Sequence, residues 1–305
     1  MTIVKLCRRA LVPIFGAALL LVPAPQLAAD DGVGRVVVTP ARVTAGSTNT
    51  FTLAFTADTG ALRGQTLLDI PRGWTLPQAT RPGQPGYVAL AAGSCAGATK
   101  VARIVSYRVV ITTVCGRGDS FTVTYGPAVA STLAADGYVF LTQTRPARPT
   151  TQTKVVKVKK VVKDKRGRKR TRLVTKRLKV VLRPAFRPLA QAKQPIVVVT
   201  GGQFHHLALN APTVAAAGTP FSVTVRAEDV YGNAAVGYGS TVSFTSSDPD
   251  AYLPQPYRFQ TSDLGAKSFA GVILRHGGVQ SISVGDDAGH ADTSNPITVY
   301  AFGAG

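Results

Sequence analysis

Glutamate is almost missing from this sequence: Glu228 is the only one, and methionine and tryptophan also occur once each. Glycosidases commonly need two acidic side chains, so the scarcity of glutamate disfavours that chemistry, although two aspartates could still meet in space. Glycine and proline are frequent, with 30 and 20 residues. This composition favours many short strands joined by turns over a helical fold.

Three sequence signatures of enzymes are also missing. The chain has no Gly-x-Ser-x-Gly turn, no His-Glu-x-x-His motif and no glycine-rich phosphate-binding loop. Its four histidines, His205, His206, His276 and His290, lie near or within the last hundred residues. We therefore predict a non-catalytic protein with no cofactor and no bound metal, with a hydrolase as a minor alternative.

The first 29 residues have the layout of a secretory signal peptide. Basic residues at positions 5–9 precede an apolar segment over residues 11–22, and small residues end at Ala29. The apolar segment is shorter than the about 20 residues that span a bilayer, so we expect cleavage near Ala29 rather than a membrane anchor. Cys7 precedes the apolar segment, which excludes the lipoprotein layout. Because no later segment is long and apolar enough to cross a membrane, the mature chain is predicted to be secreted, extracellular or associated with the cell wall.

Cysteine is scarce, and loss of the signal peptide leaves only Cys95 and Cys115. An even pair in an oxidising compartment predicts a disulfide. The bridge would close a loop of about 20 residues and stabilise the fold by about 3 kcal/mol in the chain-entropy description. Two free thiols are the alternative, and a metal site is disfavoured because no histidine lies nearby.

The positive charge is concentrated in one segment. Residues 151–194 contain ten lysines and seven arginines but only one acid, Asp164. Of the formal charge of +20, this segment holds +16 and the signal peptide +3, which leaves +1 for the rest of the chain. Attraction to anions is therefore expected in this segment and not across the whole surface.

Apolar and polar residues alternate with a period of two along most of the remaining chain. Phe51, Leu53 and Phe55 are an example of the pattern typical of a half-buried strand. No window has the sustained 3.6-residue period of a helix, and frequent short strands indicate a sandwich or a barrel. We predict an all-β protein of two immunoglobulin-like β-sandwich modules, at residues 30–200 and 204–305, the first with a long basic β-hairpin insertion at about 151–187.

The two modules share a layout at their first turn. In residues 38–51 and 209–221, a strand meets a proline, a valine, then Ala-Gly and a phenylalanine that opens the next alternating strand. Gly46 and Gly218 supply the positive φ that a tight turn needs. Because the spacing from glycine to phenylalanine differs by two residues, we interpret the similarity as a shared layout and not as a proven duplication.

Several short motifs lie along the second module. They are Ala217-Gly-Thr-Pro-Phe-Ser-Val-Thr-Val-Arg-Ala-Glu-Asp-Val-Tyr-Gly-Asn233, Gly239-Ser-Thr-Val-Ser-Phe-Thr-Ser-Ser-Asp-Pro249, Leu253-Pro254, Tyr257-Arg-Phe259 and Asp263-Leu-Gly265. With them, about 100 residues resemble the immunoglobulin-like repeats of large bacterial secreted and cell-surface proteins. The resemblance implies a sandwich that serves as a spacer or adhesive unit and has no catalytic residues.

The first module has a looser resemblance. Its motifs are Thr44-Ala-Gly-Ser-Thr-Asn-Thr-Phe51, Ile70-Pro-Arg-Gly-Trp-Thr75 and Phe121-Thr-Val-Thr-Tyr-Gly126. They are similar to those of a loosely defined class of actinobacterial secreted β-domains, for which no activity is implied. Trp74 is expected to cap an edge of the core, with carbohydrate stacking as the alternative.

The basic insertion has the pattern of a hairpin. Aliphatic residues alternate along 154–162 and 174–182, and between them residues 163–170 contain six basic residues and Gly167. This pattern predicts a long hairpin with a charged tip, and ten extended residues would reach about 33 Å from the sandwich. A disordered linker is the alternative that the charge favours. The aliphatic residues predicted to share a face are Val156, Val158 and Val162 on one strand and Val174, Leu178, Val180 and Leu182 on the other.

The hairpin is the candidate functional site, and a polyanion is its predicted ligand: a wall polymer, acidic polysaccharide, anionic lipid or extracellular DNA. Arginine binds phosphate and carboxylate in a bidentate manner, and lysine acts as a point charge. No aromatic residue lies between Lys154 and Arg183, so base stacking is excluded and we expect salt-sensitive binding without nucleic-acid sequence specificity. The predicted binding residues are Lys154, Lys157, Lys159, Lys160, Lys163, Lys165, Arg166, Arg168, Lys169, Arg170, Arg172, Lys176, Arg177 and Lys179.

Two weaker interpretations remain. The hairpin charges could only keep an exposed edge soluble or direct assembly with other surface proteins, which would make the protein a structural spacer. Oxygen-bearing loop residues of the second module could bind calcium, although they are also ordinary turn residues without EF-hand spacing. The calcium candidates are Glu228, Asp229, Asn233, Asp248, Asp250, Asp286 and Asp287.

Overall fold

The computed structural model describes residues 31–147, 150–163, 169–182 and 184–301. The predicted signal peptide and its cleavage site lie outside the described residues. So do three of the predicted binding residues, Lys165, Arg166 and Arg168.

The predicted all-β fold class is confirmed. The described ranges contain 24 strands, two short 3-10 helices at Gln191–Lys193 and Thr261–Asp263, and no α-helix. Within the same ranges no helix has the length and hydropathy needed to span a membrane.

Fourteen strands belong to the first module, and they form two main sheets, a small third sheet and a separate hairpin. The main sheets have the orders β1-β3-β8-β5 and β13-β10-β4-β7-β6, the small sheet is β2-β14-β9, and the hairpin is β11-β12. The strands are β1 Arg35–Thr39, β2 Arg42–Thr44, β3 Thr48–Thr56, β4 Leu62–Asp69, β5 Val88–Ala91, β6 Lys100–Val105, β7 Arg108–Cys115, β8 Ser120–Val129, β9 Ala135–Val139, β10 Thr142–Pro146, β11 Thr150–Lys163, β12 Lys169–Leu182, β13 Arg187–Pro188 and β14 Ile196–Thr200.

Aromatic side chains fill the core between the two main sheets. Phe51, Tyr125 and Phe140 are fully buried, and Trp74 packs edge-to-face on Phe51 and Phe140 with ring centroids 5.1 Å apart in both pairs. Trp74 is only 3% exposed. It therefore lies within the core and does not cap its edge, and the carbohydrate-stacking alternative is excluded.

The predicted disulfide is confirmed. Cys95, in the loop between β5 and β6, is bonded to Cys115 at the end of β7, across 20 positions of sequence. Both cysteines are buried in the first core. The bridge thus holds a long loop against the five-stranded sheet.

Ten strands form the second module, in sheets of order β15-β17-β20, β16-β24-β21 and β19-β18-β22-β23. Its core is a separate cluster that includes Leu207, Val225, Val242 and Ile282. The strands are β15 His206–Asn210, β16 Val214–Ala216, β17 Phe221–Glu228, β18 Thr241–Ser246, β19 Tyr257–Arg258, β20 Ala266–Val272, β21 Gly278–Gln280, β22 Ile282–Asp286, β23 Ala291–Thr293 and β24 Ile297–Tyr300.

The shared layout of the two modules is confirmed in hydrogen-bonding detail. In each module the chain first runs antiparallel to one sheet, through β1 or β15, and then crosses to run parallel to the last strand, through β2 or β16. The backbone N–H that follows the crossing strand donates to the end of the last strand, from Ala45 to Thr200 over 2.8 Å and from Ala217 to Tyr300 over 2.9 Å. The next residue is the predicted glycine, with a φ of 69° at Gly46 and 75° at Gly218.

A loop of the second module joins it to the first. The Asn233 amide donates through Nδ2 to the Thr132 carbonyl and accepts through Oδ1 from the Ala134 N–H, both over 2.8 Å. The Tyr231 ring lies against the Cα of Gly46, where no side chain would fit. These contacts fix the second module against the end of the first.

Asp229 organises this joint from within. Its buried carboxylate accepts the N–H groups of Gly202 at 2.7 Å, Tyr231 at 2.8 Å and Asn233 at 2.9 Å. Burial alone would raise the pKa of Asp229, but these hydrogen bonds and one from the Asn233 amide outweigh it, so the pKa lies below its ordinary value. The Asp-Val-Tyr-Gly-Asn segment is therefore the structural link between the modules.

Candidate functional site

The hairpin is inserted between β10 and β13, the two strands at one edge of the five-stranded sheet. Strand β10 pairs with β4 on one side and with β13 on the other, so that Gln143 lies opposite Pro188 and Thr144 opposite Arg187. The Leu189 N–H also donates to the Thr142 carbonyl over 3.0 Å. The chain therefore leaves the sandwich after Pro146, the last residue of β10 that pairs with β4, and re-enters it near Arg187.

The predicted hairpin is confirmed in the described residues of the insertion. Strands β11 and β12 are antiparallel with a continuous register of fourteen pairs, from Thr150 opposite Leu182 to Lys163 opposite Lys169. At about 3.4 Å per residue, each strand is about 45 Å long. Among the described strands, β11 and β12 pair only with each other.

The register assigns the basic residues to both faces of the hairpin. Residues that lie directly opposite each other share a face, so even-numbered residues lie on one face and odd-numbered residues on the other. The described part of the hairpin has eleven lysines and arginines and no acid. The even-numbered face has Lys154, Lys160, Arg170, Arg172 and Lys176, and the odd-numbered face has Lys157, Lys159, Lys163, Lys169, Arg177 and Lys179.

The two predicted aliphatic stripes lie on one face. All seven of their valines and leucines are even-numbered and so share the even-numbered face. On the opposite face, Thr175 and Arg177 are exposed, and Val155 is 58% exposed. At these three positions the odd-numbered face is open to solvent.

Like charges oppose each other across the strands. Lys160 lies opposite Arg172, and Lys163 lies opposite Lys169. Such pairs destabilise a sheet, and a two-stranded hairpin is only marginally stable in water by itself.

The loop acids of the second module do not converge on a calcium site. Asp229 and Asn233 form the joint between the modules, and Asp286 accepts hydrogen bonds from Tyr238 Oη over 3.0 Å and from the His290 N–H over 2.8 Å. In the described part of the chain, no three His, Cys, Asp or Glu side chains are close enough together to hold a metal ion. The calcium alternative is therefore not supported.

Sequence inspection missed a pairing of two histidines with buried aspartates. His276 Nδ1 lies 2.7 Å from Asp248 Oδ1, and His290 Nδ1 lies 3.0 Å from Asp286 Oδ2. The hydrogen bond to Asp248 raises the pKa of His276. His276 Nε2 lies 3.7 Å from Asp250 Oδ2, so its second nitrogen faces a carboxylate and not a nucleophile.

The remaining two histidines are surface residues next to the joint. His205 Nδ1 lies 3.2 Å from His206 Nδ1, and His206 Nε2 lies 3.4 Å from Glu228 Oε2. Both rings are solvent-exposed. Their arrangement fits an exposed linker pair.

Arg145, at the root of the hairpin, was also missed. Its guanidinium donates through Nε to Gln65 Oε1 over 3.0 Å and donates through Nη2 to the same oxygen. It also lies over the Phe186 ring, 4.3 Å from the centroid. Gln65 lies far before Arg145 in the sequence and Phe186 lies far after it. The cluster can therefore be recognised only once the strand register is known.

No protein-family model matches this sequence, and no curated protein matches it. Among solved structures, Escherichia coli alpha-2-macroglobulin activated by porcine elastase is similar over 89% of this chain, at 10% identity and a TM-score of 0.25. The chain spans about a third of that protein, 35% of its length. A likeness this weak says nothing about activity, so the candidate site depends on its own geometry.

Proposed function

We propose that this protein is a secreted or wall-associated, non-catalytic surface protein whose hairpin binds polyanions. One observation carries the proposal: fourteen continuous residue pairs display eleven basic residues, and no acid, on both faces of an isolated hairpin. The rest of the mature chain is close to neutral. Anionic ligands would therefore be drawn to the hairpin and not to the sandwiches.

The chemistry of the hairpin supports a broad ligand class. Eight of its described basic residues are lysines and three are arginines, and both bind phosphate or carboxylate groups without reading a sequence. Release of counterions would make the binding steeply dependent on salt. Wall polymers, acidic polysaccharides, anionic lipids and extracellular DNA all fit this description.

The two sandwiches would serve as a rigid support that holds the hairpin in place. The first anchors both hairpin strands in one sheet, through β10 and β13, and the joint around Asn233 fixes the second module to it. The resemblance of the second module to bacterial immunoglobulin-like repeats supports a role as spacer or adhesive unit at the cell surface.

The proposal is tested by removing the charge while keeping the hairpin. In the test variant, all fourteen predicted binding lysines and arginines become glutamine; in the control, Thr151, Thr153, Thr171 and Thr175 become serine. Binding of the mature protein to purified cell wall, teichoic acid and duplex DNA is measured across a salt series. We expect steep salt-dependent binding by wild type and control and none by the glutamine variant. Equal binding by all three, or no binding at low salt, would overturn the proposal.

A structural spacer is the second candidate. The hairpin has two outer strand edges that no other described strand covers, and lysines on such edges oppose edge-to-edge aggregation. If the charges act only in this way, the glutamine variant would aggregate, as light scattering would detect, while wild type would bind none of the three polymers.

A further inference from the structure

A cleft lies between the two roots of the hairpin. It has a volume of about 460 Å³, within the range of small-ligand sites. Ala147 and Pro184, on its rim, come just before β11 and just after β12. A polymer that lies along the hairpin would therefore reach the cleft. The lining residues are Gly64, Gln65, Thr112, Arg145, Pro146, Ala147 and Pro184.

Arg145 is held in one orientation in this cleft. Gln65 lies directly opposite Arg145 in the register of β10 and β4, and its Oε1 accepts both the Nε and one Nη2 hydrogen bond. The Phe186 ring covers the guanidinium at 4.3 Å. A guanidinium fixed in this way loses little conformational entropy when it binds a ligand.

Among the described residues, the Arg145 charge has no acidic partner. A guanidinium has five N–H donors, and Gln65 accepts only two of them. Within the described part of the chain, none of the ion pairs includes Arg145. Asp58 and Asp69, two acids of the same module, are paired with other bases.

A hydroxyl group lies in the same row of the sheet. Thr112 is opposite Gln65 on the far side of β4, and among the described residues its Oγ1 has no hydrogen bond. Gly64 also lines the cleft, and a side chain there would overlap the Arg145 carbonyl. The cleft thus combines unused guanidinium donors and a hydroxyl donor.

We propose that this cleft is a subsite for one oxyanion, a phosphate or carboxylate group, of the polymer that the hairpin binds. Arg145 would donate its remaining N–H groups to two oxygens of the anion, and Thr112 would donate its hydroxyl. The planar fork of arginine matches the geometry of both anions. The proposal rests on the proposed function, because the hairpin supplies the other contacts with the polymer.

The first test uses the wild-type chain and small anions. Inorganic phosphate or acetate is titrated while the NMR signals of the Arg145 Nε–H and the Gln65 amide are followed. We expect a saturable shift of both at millimolar concentration. The comparison is Arg103, an exposed arginine on β6 outside the cleft, whose Nε–H should not saturate. Equal shifts at the two arginines, or no shift at either, would overturn the proposal.

The second test uses variants and a polymer. Arg145→Gln should weaken binding to teichoic acid by about tenfold, since a charged hydrogen-bonded group is lost, and Arg145→Lys should not restore it, because lysine has no planar fork. The control Arg103→Gln removes the same charge from the same sheet and should change binding less than twofold. Thermal melting of each variant checks folding, and the wild-type titration is independent of it.

The outcomes separate this inference from the proposed function. If the hairpin glutamine variant loses polymer binding while Arg145→Gln behaves like Arg103→Gln, only the subsite is overturned. If the hairpin variant keeps polymer binding, the proposed function fails first. If Arg145→Gln loses phosphate binding but binds the polymer unchanged, the cleft holds a free oxyanion and its assignment to the polymer is overturned.

Discussion

The two sandwich modules have the same strand crossing and the same glycine turn, yet they are stabilised by different means. The first closes a loop with the Cys95–Cys115 disulfide and packs stacked aromatic rings in its core. The second has no cysteine and instead buries the carboxylates of Asp248 and Asp286 as acceptors for loop N–H groups. Its core is the smaller of the two and buries three aromatic side chains, where the first core buries six.

The comparison distinguishes a framework that both modules share from the loops in which the modules differ. The framework consists of a strand that ends at a proline, a crossing strand and a glycine with positive φ. That glycine is Gly46 in the first module and Gly218 in the second. The loops are free to vary because they lie outside the ladders. The first module places a charged hairpin in one of its loops, and the second places its joint in another, next to Asp229.

Loss of the disulfide should have the largest effect. Replacing Cys95 and Cys115 together by serine removes a bridge across 20 positions and should destabilise the first module by about 3 kcal/mol. Differential scanning calorimetry should show a lower first transition and an unchanged second one. An unaltered melting profile would mean that the aromatic core alone determines the stability of the first module.

Breaking the joint should have the next largest effect. Asn233→Ala removes two hydrogen bonds between the modules, worth about 2 kcal/mol together. The modules should then lose their fixed relative orientation, as residual dipolar couplings would show. Asn295→Ala is the control, because its exposed amide donates only to the neighbouring Pro296 carbonyl. If the modules stay aligned in Asn233→Ala, contact between Tyr231 and Gly46 is sufficient for the joint.

Local patterns in the sequence predicted the framework well. Period-two alternation located the strand around Phe51, and Gly46 and Gly218 marked the turns. The two cysteines that follow the predicted signal peptide predicted the bridge. Each of these features depends on residues that are close in sequence or, for the cysteines, on a single pair.

Contacts between distant residues were not predictable in this way. Asn233 resembled a calcium ligand because its partners, Thr132 and Ala134, lie about a hundred positions earlier. Arg145 and Gln65 are 80 positions apart, and only the register of β10 on β4 brings them together. Trp74 was misplaced for the same reason, since the rings that pack on it come from distant parts of the chain, Phe51 on β3 and Phe140 between β9 and β10.

A smaller effect should follow from pH and appear in the second module alone. The pKa of His276 is raised by its hydrogen bond to Asp248, so its contribution to stability is present below the unfolded value of about 6.5 and is lost as pH rises through the folded pKa. The melting temperature of the second transition should therefore fall slightly as pH rises through the folded pKa of His276. His276→Asn should remove this dependence, and the exposed His205→Asn should keep it. A flat profile in wild type would show that the pair does not affect stability.

Removal of the hairpin should have the smallest effect on stability although it changes the charge most. Replacing residues 150–182 by a short Gly-Ser turn deletes fourteen basic residues and one acid, but β11 and β12 pair only with each other among the described strands. Both transitions should therefore stay within about 0.5 kcal/mol of wild type, provided that β10 and β13 keep their pairing. A clearly destabilised first module would mean that the hairpin packs on the sheet that anchors it. Unchanged stability together with lost polymer binding would mean that the hairpin was added to a framework that folds without it.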